Sequence, residues 1–345
     1  MSSMPETLER MTLDDADELE AQAWFRAGGL TDGLPIVLPS VERVERFIER
    51  SGFDRRLELG PVEPSGGVAT VENVAVNALM AGSRPEDLGV VLAAVQAMQM
   101  EPYNLRGVQV TTNPVAPLTI VNGPVRHRLG IDSGAHAVSP GTHPNGLIGR
   151  AIRFVLQNIG EVTPDVDRAT LGLPAKYTFC LAENEEASPW EPLHVSLGYE
   201  ADDSVVTMIG PESIIDCCAV WTTTEPLLDQ FTRLMKAVGT NVNYSMGTLL
   251  WVINPAHARL LADDGYDRAR LQERLFEQAS FPPAEWPFGN WPVGDWVVKD
   301  GKVQITRSPA DIYLIVAGRD DPLHSTYLPP MTFCTATSAK VWEAS

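Results

Sequence analysis

The run Lys176-Tyr-Thr-Phe-Cys-Leu-Ala-Glu-Asn-Glu-Glu-Ala-Ser-Pro-Trp-Glu-Pro-Leu-His194 reads as a buried strand that leads directly into a cluster of carboxylates. Tyr177, Phe179 and Leu181 alternate with Thr178, Cys180 and Ala182, and the second set is small enough for that face to be covered too. Glu183, Asn184, Glu185 and Glu186 follow immediately. Carboxylates this close repel one another unless water, a cation or a cationic side chain offsets them. The carboxyl ends of strands are where open α/β sheets bind ligands. This strand end is therefore the first candidate site.

Outward from it, strands and helices alternate. Towards the N-terminus, residues from about Asp14 to Ala27 read as a helix. Ser40 caps a second, with Val41, Val44, Phe47 and Ile48 on one face, and Thr70 opens a third. Ser83-Arg84-Pro85-Glu86 is a capping box for a fourth. Gly107 to Thr112 and Leu118 to Val121 read as extended, and a Gly- and Pro-rich loop from Asn122 to Pro144 leads into an amphipathic helix through Leu147, Ile152, Val155 and Ile159. Beyond the quoted block, strands are expected at Val205–Ile209, Thr248–Ile253 and Asp311–Val316, and helices at Thr224–Val238, Pro255–Asp263 and through Leu271, Leu275 and Phe276. A hairpin is expected around Asp300-Gly301, after a loop carrying Trp286, Trp291 and Trp296. Ser188-Pro189-Trp190-Glu191 reads as a further helix start, stopped by Pro192.

The expected class is α/β, with mixed sheets flanked by helices. A faint recurring rhythm (Asn113-Pro114, Asn254-Pro255) allows two similar α/β halves. The division expected is 1–65, a helical and extended region; 66–200, an α/β domain with the glycine-rich loop and acidic strand end; and 201–345, a second α/β domain.

Composition narrows the function. A net charge of −19 argues against nucleic acid and anionic membrane surfaces as partners, since both need clustered Lys and Arg. No apolar run approaches the ~20 residues of a membrane span, and the N-terminus lacks the basic and apolar regions of a secretory signal. A cytoplasmic protein is expected. Cys180, Cys217, Cys218 and Cys334 form no CxxC pair and read as free thiols. GxSxG, P-loop and GxGxxG motifs are absent.

Candidate chemistry then falls on few residues. Glu183 and Glu185 have the right chemistry for a general base or for holding a divalent metal, with Lys176 and His194 as further catalytic candidates. Asn122, Asn145 and Asn184 could orient a substrate, and Arg150 could neutralise its charge. The loop from Gly130 to Gly146 ends at a helix N-terminus suited to an anion. His136, His143, Glu183 and His194 could form a metal set only if the fold assembled them.

Thr31-Asp-Gly-Leu-Pro-Ile-Val-Leu-Pro39, Asn77-Ala-Leu-Met-Ala-Gly-Ser-Arg-Pro-Glu86, Ile120-Val-Asn-Gly-Pro124, Ile148-Gly-Arg-Ala-Ile152, the Lys176–His194 block and Asn254-Pro-Ala-His-Ala258 form a recognisable set. Together these segments resemble a bacterial family associated with the UGSC (seleno)proteins. The resemblance spans nearly the whole chain and implies a related fold and a thiol- or selenol-linked redox context. The chain departs from that pattern at Ser83, where relatives tend to carry Cys, in having no Cys-Gly-Ser-Cys, and at Gly318-Arg319-Asp320, where a double glycine is expected.

The reading that follows is a soluble enzyme acting on a small polar, anionic molecule by hydrolytic or lyase-type acid/base chemistry, with metal assistance as an option. Its alternatives are a reductase component working with a UGSC-type partner, and a noncatalytic subunit. A homo- or hetero-oligomer is expected.

Overall fold

The computed structural model describes residues 17–139, 143–220, 222–236, 247–282, 298–321 and 323–344. Two helices, α1 (Glu18–Ala27) and α2 (Val41–Ser51), precede a hairpin of β1 (Glu58–Val62) and β2 (Gly67–Thr70). Then come α3 (Val71–Ala81), α4 (Leu88–Gln99), α5 (Leu105–Val110), β3 (Leu118–Asn122), α6 (Val125–Leu129), α7 (His143–Asn158), β4 (Cys180–Ala182), α8 (Leu193–Ser196), β5 (Val205–Ile209) and β6 (Ile215–Cys218). The rest is α9 (Thr224–Met235), β7 (Leu249–Ile253), α10 (Pro255–Asp263), α11 (Arg268–Gln278), the hairpin β8 (Val298–Lys299) and β9 (Lys302–Val303), β10 (Ile312–Val316), β11 (His324–Leu328) and β12 (Thr337–Lys340). Among these described residues, no helix is long and apolar enough to cross a membrane.

Helix starts follow local chemistry. The side chains of Ser40, Thr70, Asn254 and Asp267 each accept a backbone N–H in the first turn of the helix they open. At α4 the cap differs from expectation. Asp87, rather than Glu86, accepts the Arg84 N–H at 2.8 Å, while the Ser83 hydroxyl donates to the Leu147 carbonyl at 3.3 Å. The segment expected to be extended at Gly107 to Thr112 is largely helix α5. Its valines suit a strand, but the Asn104 side chain caps a turn by accepting from Gly107 N–H at 3.2 Å. Trp286, Trp291 and Trp296 lie outside the described residues.

Two four-stranded sheets carry the molecule. Sheet 1 runs β4-β3-β5-β12 and sheet 2 runs β10-β7-β11-β6. In each, the first two strands are parallel and every other pairing is antiparallel. The registers correspond as well. Leu118 faces Ile209 and Met208 faces Thr337 in sheet 1; Leu250 faces Leu328 and Tyr327 faces Ile215 in sheet 2. In chain order the two series are β3-β4-β5-β6 and β7-β10-β11-β12. The fourth strand of each series therefore completes the sheet of the other. Pro211 and Pro330, just past β5 and β11, form a bridge where the two crossovers meet. Sheet membership thus cuts across residue 200, since β5 and β12 both lie in sheet 1.

Side-chain alternation sets the layers. Leu118, Ile120, Leu181 and Ile209 of sheet 1 share a core with Leu250, Val252, Ile315 and Leu328 of sheet 2. The opposite face of sheet 1 (Val121, Cys180, Ala182, Met208) packs on α3, α4 and α7. That of sheet 2 (Leu249, Trp251, Ile253, Leu314) packs on α9, α10 and α11, with Trp251 stacked 4.0 Å from Phe231 and 5.1 Å from Tyr327. The order is helices, sheet, sheet, helices. Helix α7 lies so close to the chain before β4 that a Cβ on Gly149 would stand 2.5 Å from the Phe179 amide nitrogen.

Because the sheets exchange strands and share one core, they should unfold together. Leu118→Ala in sheet 1 and Leu328→Ala in sheet 2 are each expected to cost about 2–5 kcal/mol. Urea denaturation followed by circular dichroism and tryptophan fluorescence should give one coincident transition, shifted in both variants. Two resolved transitions, each moved by only one substitution, would contradict the interlocked core.

Candidate functional site

The acidic strand end is a closed polar knot. The strand leading to it is short, because Pro174–Lys176 forms a 3₁₀ turn and only Cys180–Ala182 joins the sheet. Glu183 is completely buried. Its Oε2 accepts from Asn122 Nδ2 at 2.6 Å and from the Leu193 amide at 2.8 Å, while Oε1 has no hydrogen-bond donor among the described residues and faces Arg268 at 3.7 Å. Glu185 accepts from Asn122 Nδ2 at 3.0 Å and from the Gly123 amide at 2.7 Å, and its other oxygen lies 2.8 Å from Arg126. Glu186 reaches the surface and meets Arg126 at 3.0 Å and His127 at 2.8 Å. Arg126 and Arg268 are thus the cations that offset the crowded carboxylates. His194 is buried beside Glu185, 3.9 Å away, and neither ring nitrogen finds a hydrogen-bond partner among the described residues.

Their environments push the carboxyl groups in opposite directions. Burial raises that of Glu183, and Arg268, the Leu193 amide and Asn122 offset it only in part. Hydrogen bonding to Arg126 lowers that of Glu186 to about 2. Desolvation likewise lowers Arg268 from its usual value.

The fold brings Glu183, Glu185, Asn122 and His194 together but sends the other candidates elsewhere. Lys176 precedes β4, at the end away from the carboxylates, and pairs with Asp167 at 2.5 Å. Arg150 is held by Asp32 through two contacts of 2.7 and 2.8 Å and by the Pro35 carbonyl, so it pins the Thr31–Pro35 turn to α7. Asn145 accepts from the Asp132 amide and donates to the Asp132 and Cys180 carbonyls, fastening the glycine-rich loop to β4. The Asn184 amide donates to the Val316 carbonyl at 2.7 Å, tying the end of β4 to the end of β10. Ser188–Glu191 makes no helix; the Ser188 hydroxyl instead accepts from and donates to the backbone of Trp190, and α8 starts only after Pro192. The side chain of His143 lies outside the described residues. Among those described, no group of three or more His, Cys, Asp and Glu is placed to hold a metal ion.

An open site lies at the corresponding end of sheet 2. A cavity of about 410 Å³ is lined by His136, Ser139, Val252, Asn254, Gly318, Arg319, Asp321, His324 and Thr326, among others. Its size falls in the range of small-molecule pockets, and it sits at the carboxyl ends of the parallel strands β7 and β10. The same end of sheet 1 is filled by the long connection from β4 to β5, residues 183–204. That connection places Leu193 in the shared core and lays Tyr199 on the Ser338 carbonyl. The connection from β10 to β11, residues 317–323, is too short to do this. The cavity is roofed by the glycine-rich loop, whose Ser133 carbonyl accepts from the Gly318 amide at 2.9 Å.

Two features give the cavity chemistry. His324 Nδ1 lies 3.0 Å from the Asp216 carboxylate on β6. The carboxylate fixes the proton on Nδ1 and leaves Nε2 as the basic nitrogen. Arg319 is exposed and has no ion-pair partner among the described residues, unlike Asp320 beside it, which is taken by Arg259 at 2.6 Å. Sequence reasoning passed over this set because His324 and Asp216 lie on separate strands with no motif spacing. The one signal was Gly318-Arg319-Asp320 directly after a strand. Comparisons with models of known families, with curated proteins and with solved structures return no match to this chain, so the functional reading rests on the site itself.

Since the folded state holds the Glu183 proton more tightly than the unfolded chain, its contribution to stability is complete below the ordinary carboxylate value of about 4.3 and is lost as pH rises through the raised value. Glu183→Gln removes that titration. The fall in thermal midpoint between about pH 4 and about pH 8 should be shallower in the variant than in the wild type. An unchanged slope would mean that Glu183 ionises in the fold as readily as in the open chain.

Proposed function

We propose that the protein is an enzyme acting on a small polar, anionic molecule by hydrolytic acid/base chemistry in the cavity at the carboxyl ends of β7 and β10. The observation that carries this reading is the imidazole of His324 on the cavity wall, anchored by Asp216 and with Nε2 uncommitted among the described residues. Arg319 supplies the positive charge for an anionic group, and His136 and Ser139 add polar contacts from the loop above. The buried acidic knot has a supporting part. It holds the end of β4 against β10, while Asn145, outside the knot, fastens the loop that roofs the cavity to β4.

Thermal shift with acetate, malonate, citrate and inorganic phosphate tests the binding half. At least one should raise the wild-type midpoint, and Arg319→Ala should abolish the rise. Hydrolysis of a panel of chromogenic anionic esters tests the chemistry. His324→Gln should lower the turnover of any ester cleaved by about 10²–10⁴-fold, the usual contribution of a positioned base. Binding untouched by Arg319→Ala, or turnover untouched by His324→Gln, would defeat the assignment.

A further inference from the structure

The strand exchange places β6 beside β11 with a fixed register. Cys218 stands directly across the ladder from His324, and Asp216 directly across from Thr326. Cross-strand partners point to the same face, with Cβ atoms about 4.5–5.5 Å apart. Cys217 points the other way, into the core under α9. Cys218, His324 and Asp216 therefore share the face of sheet 2 on which His324 and Thr326 line the cavity, and Cys218 is exposed.

The other three cysteines are of a different kind. Burial pushes the thiols of Cys217 and Cys334 up to about 12 and raises that of Cys180 as well. None is available as a thiolate near neutral pH. We propose that Cys218 is the nucleophile of the cavity site, with His324 as its base and Asp216 orienting the imidazole. This deepens the hydrolytic reading above and rests on it for the substrate, but not for the reactivity of the thiol.

The arrangement supplies the parts of a covalent mechanism in the order it needs them. The Sγ proton passes to His324 Nε2, and the imidazolium is stabilised by Asp216. The sulfur electron pair bonds to the carbonyl carbon of an anionic ester while the C=O pair moves to oxygen. Collapse expels the alcohol, which takes the proton from His324, and leaves a thioester on Cys218. Water then adds with His324 as base; the thiol departs with the returned proton and the carboxylic acid is released. Among the described residues, Asp216 is on the thiol's own strand and His324 is across from it on β11, while Arg319 and Asp321 line the cavity from the β10–β11 connection. Helix α9 contributes the neutral Gln230, bound to the Cys218 carbonyl at 2.6 Å, and the mutually paired Asp229 and Arg233.

Alkylation of the native protein by iodoacetamide at pH 7, mapped by mass spectrometry, tests the thiol directly, with the buried cysteines as silent references. Cys218 should react first, and about tenfold faster than in His324→Gln. Asp216→Asn should lie between the two. Circular dichroism of the variants guards against loss of fold, and an exposed thiol that merely sat in the sheet would not respond to His324→Gln. A Cys218 rate unmoved by His324→Gln overturns the proposal. The measurement uses no substrate, so its failure is distinguishable from failure of anion binding at Arg319.

Discussion

The exchange of β6 and β12 between the two series of strands is the constraint on which the rest of this structure depends. Each sheet would otherwise be three strands, with β5 or β11 exposed at one edge, and exposed edges are sites of unwanted pairing. By crossing over, the two fourth strands pair with β5 and β11 of the opposite series and tie the two sheets together. The shared core of Leu118, Ile120, Leu250 and Val252 is then enclosed from both sides. Helices on the outer faces complete a four-layer molecule whose layers cannot be separated without breaking strand ladders.

Near-equivalence of the two series makes their differences informative. Asn122 and Asn254 occupy equivalent places at the carboxyl ends of β3 and β7, and Glu183 corresponds to Ala317 in the pairing of the parallel strands. In the first series the chain past that point is long, carries α8 and folds back over the sheet. Its Glu183 and Glu185 carboxylates meet Arg268 and Arg126 and are withdrawn from solvent. In the second series the chain turns back at once, and the equivalent space stays open with Arg319 and His324 on its wall. Connection length, more than the character of the strands, decides which end is sealed and which is accessible.

Much of the helical framework could be read from the chain because caps and apolar periodicity are local signals. Ser40, Thr70 and Asn254 open helices where their side chains imply. The buried strands at Val205, Leu249 and Ile312 were equally plain, being short apolar runs between turn residues. What could not be read was pairing. Strands β6, β11 and β12 are polar or mixed and take their order from partners far away in the chain. The acidic cluster was visible as a group, and Asn122, Glu185 and His194 do surround Glu183. Its cations were not, because Arg126 and Arg268 reach it from α6 and α11. Lys176 and Arg150, chosen for their charge, each found a nearer carboxylate in Asp167 and Asp32. The Asp216–His324 pair is a product of the exchange itself and has no trace in local spacing.

The position of β12 has a consequence for how the molecule comes into being. Sheet 1 begins at Leu118 and receives its last strand only at Thr337–Lys340. During synthesis β5 must wait, with its ladder unpaired on one side, until β12 has been made. Contacts spanning so much of the chain carry a loop-closure cost and slow the search for the native pairing. The interval before that pairing is when the nascent chain most needs protection from pairing with its neighbours.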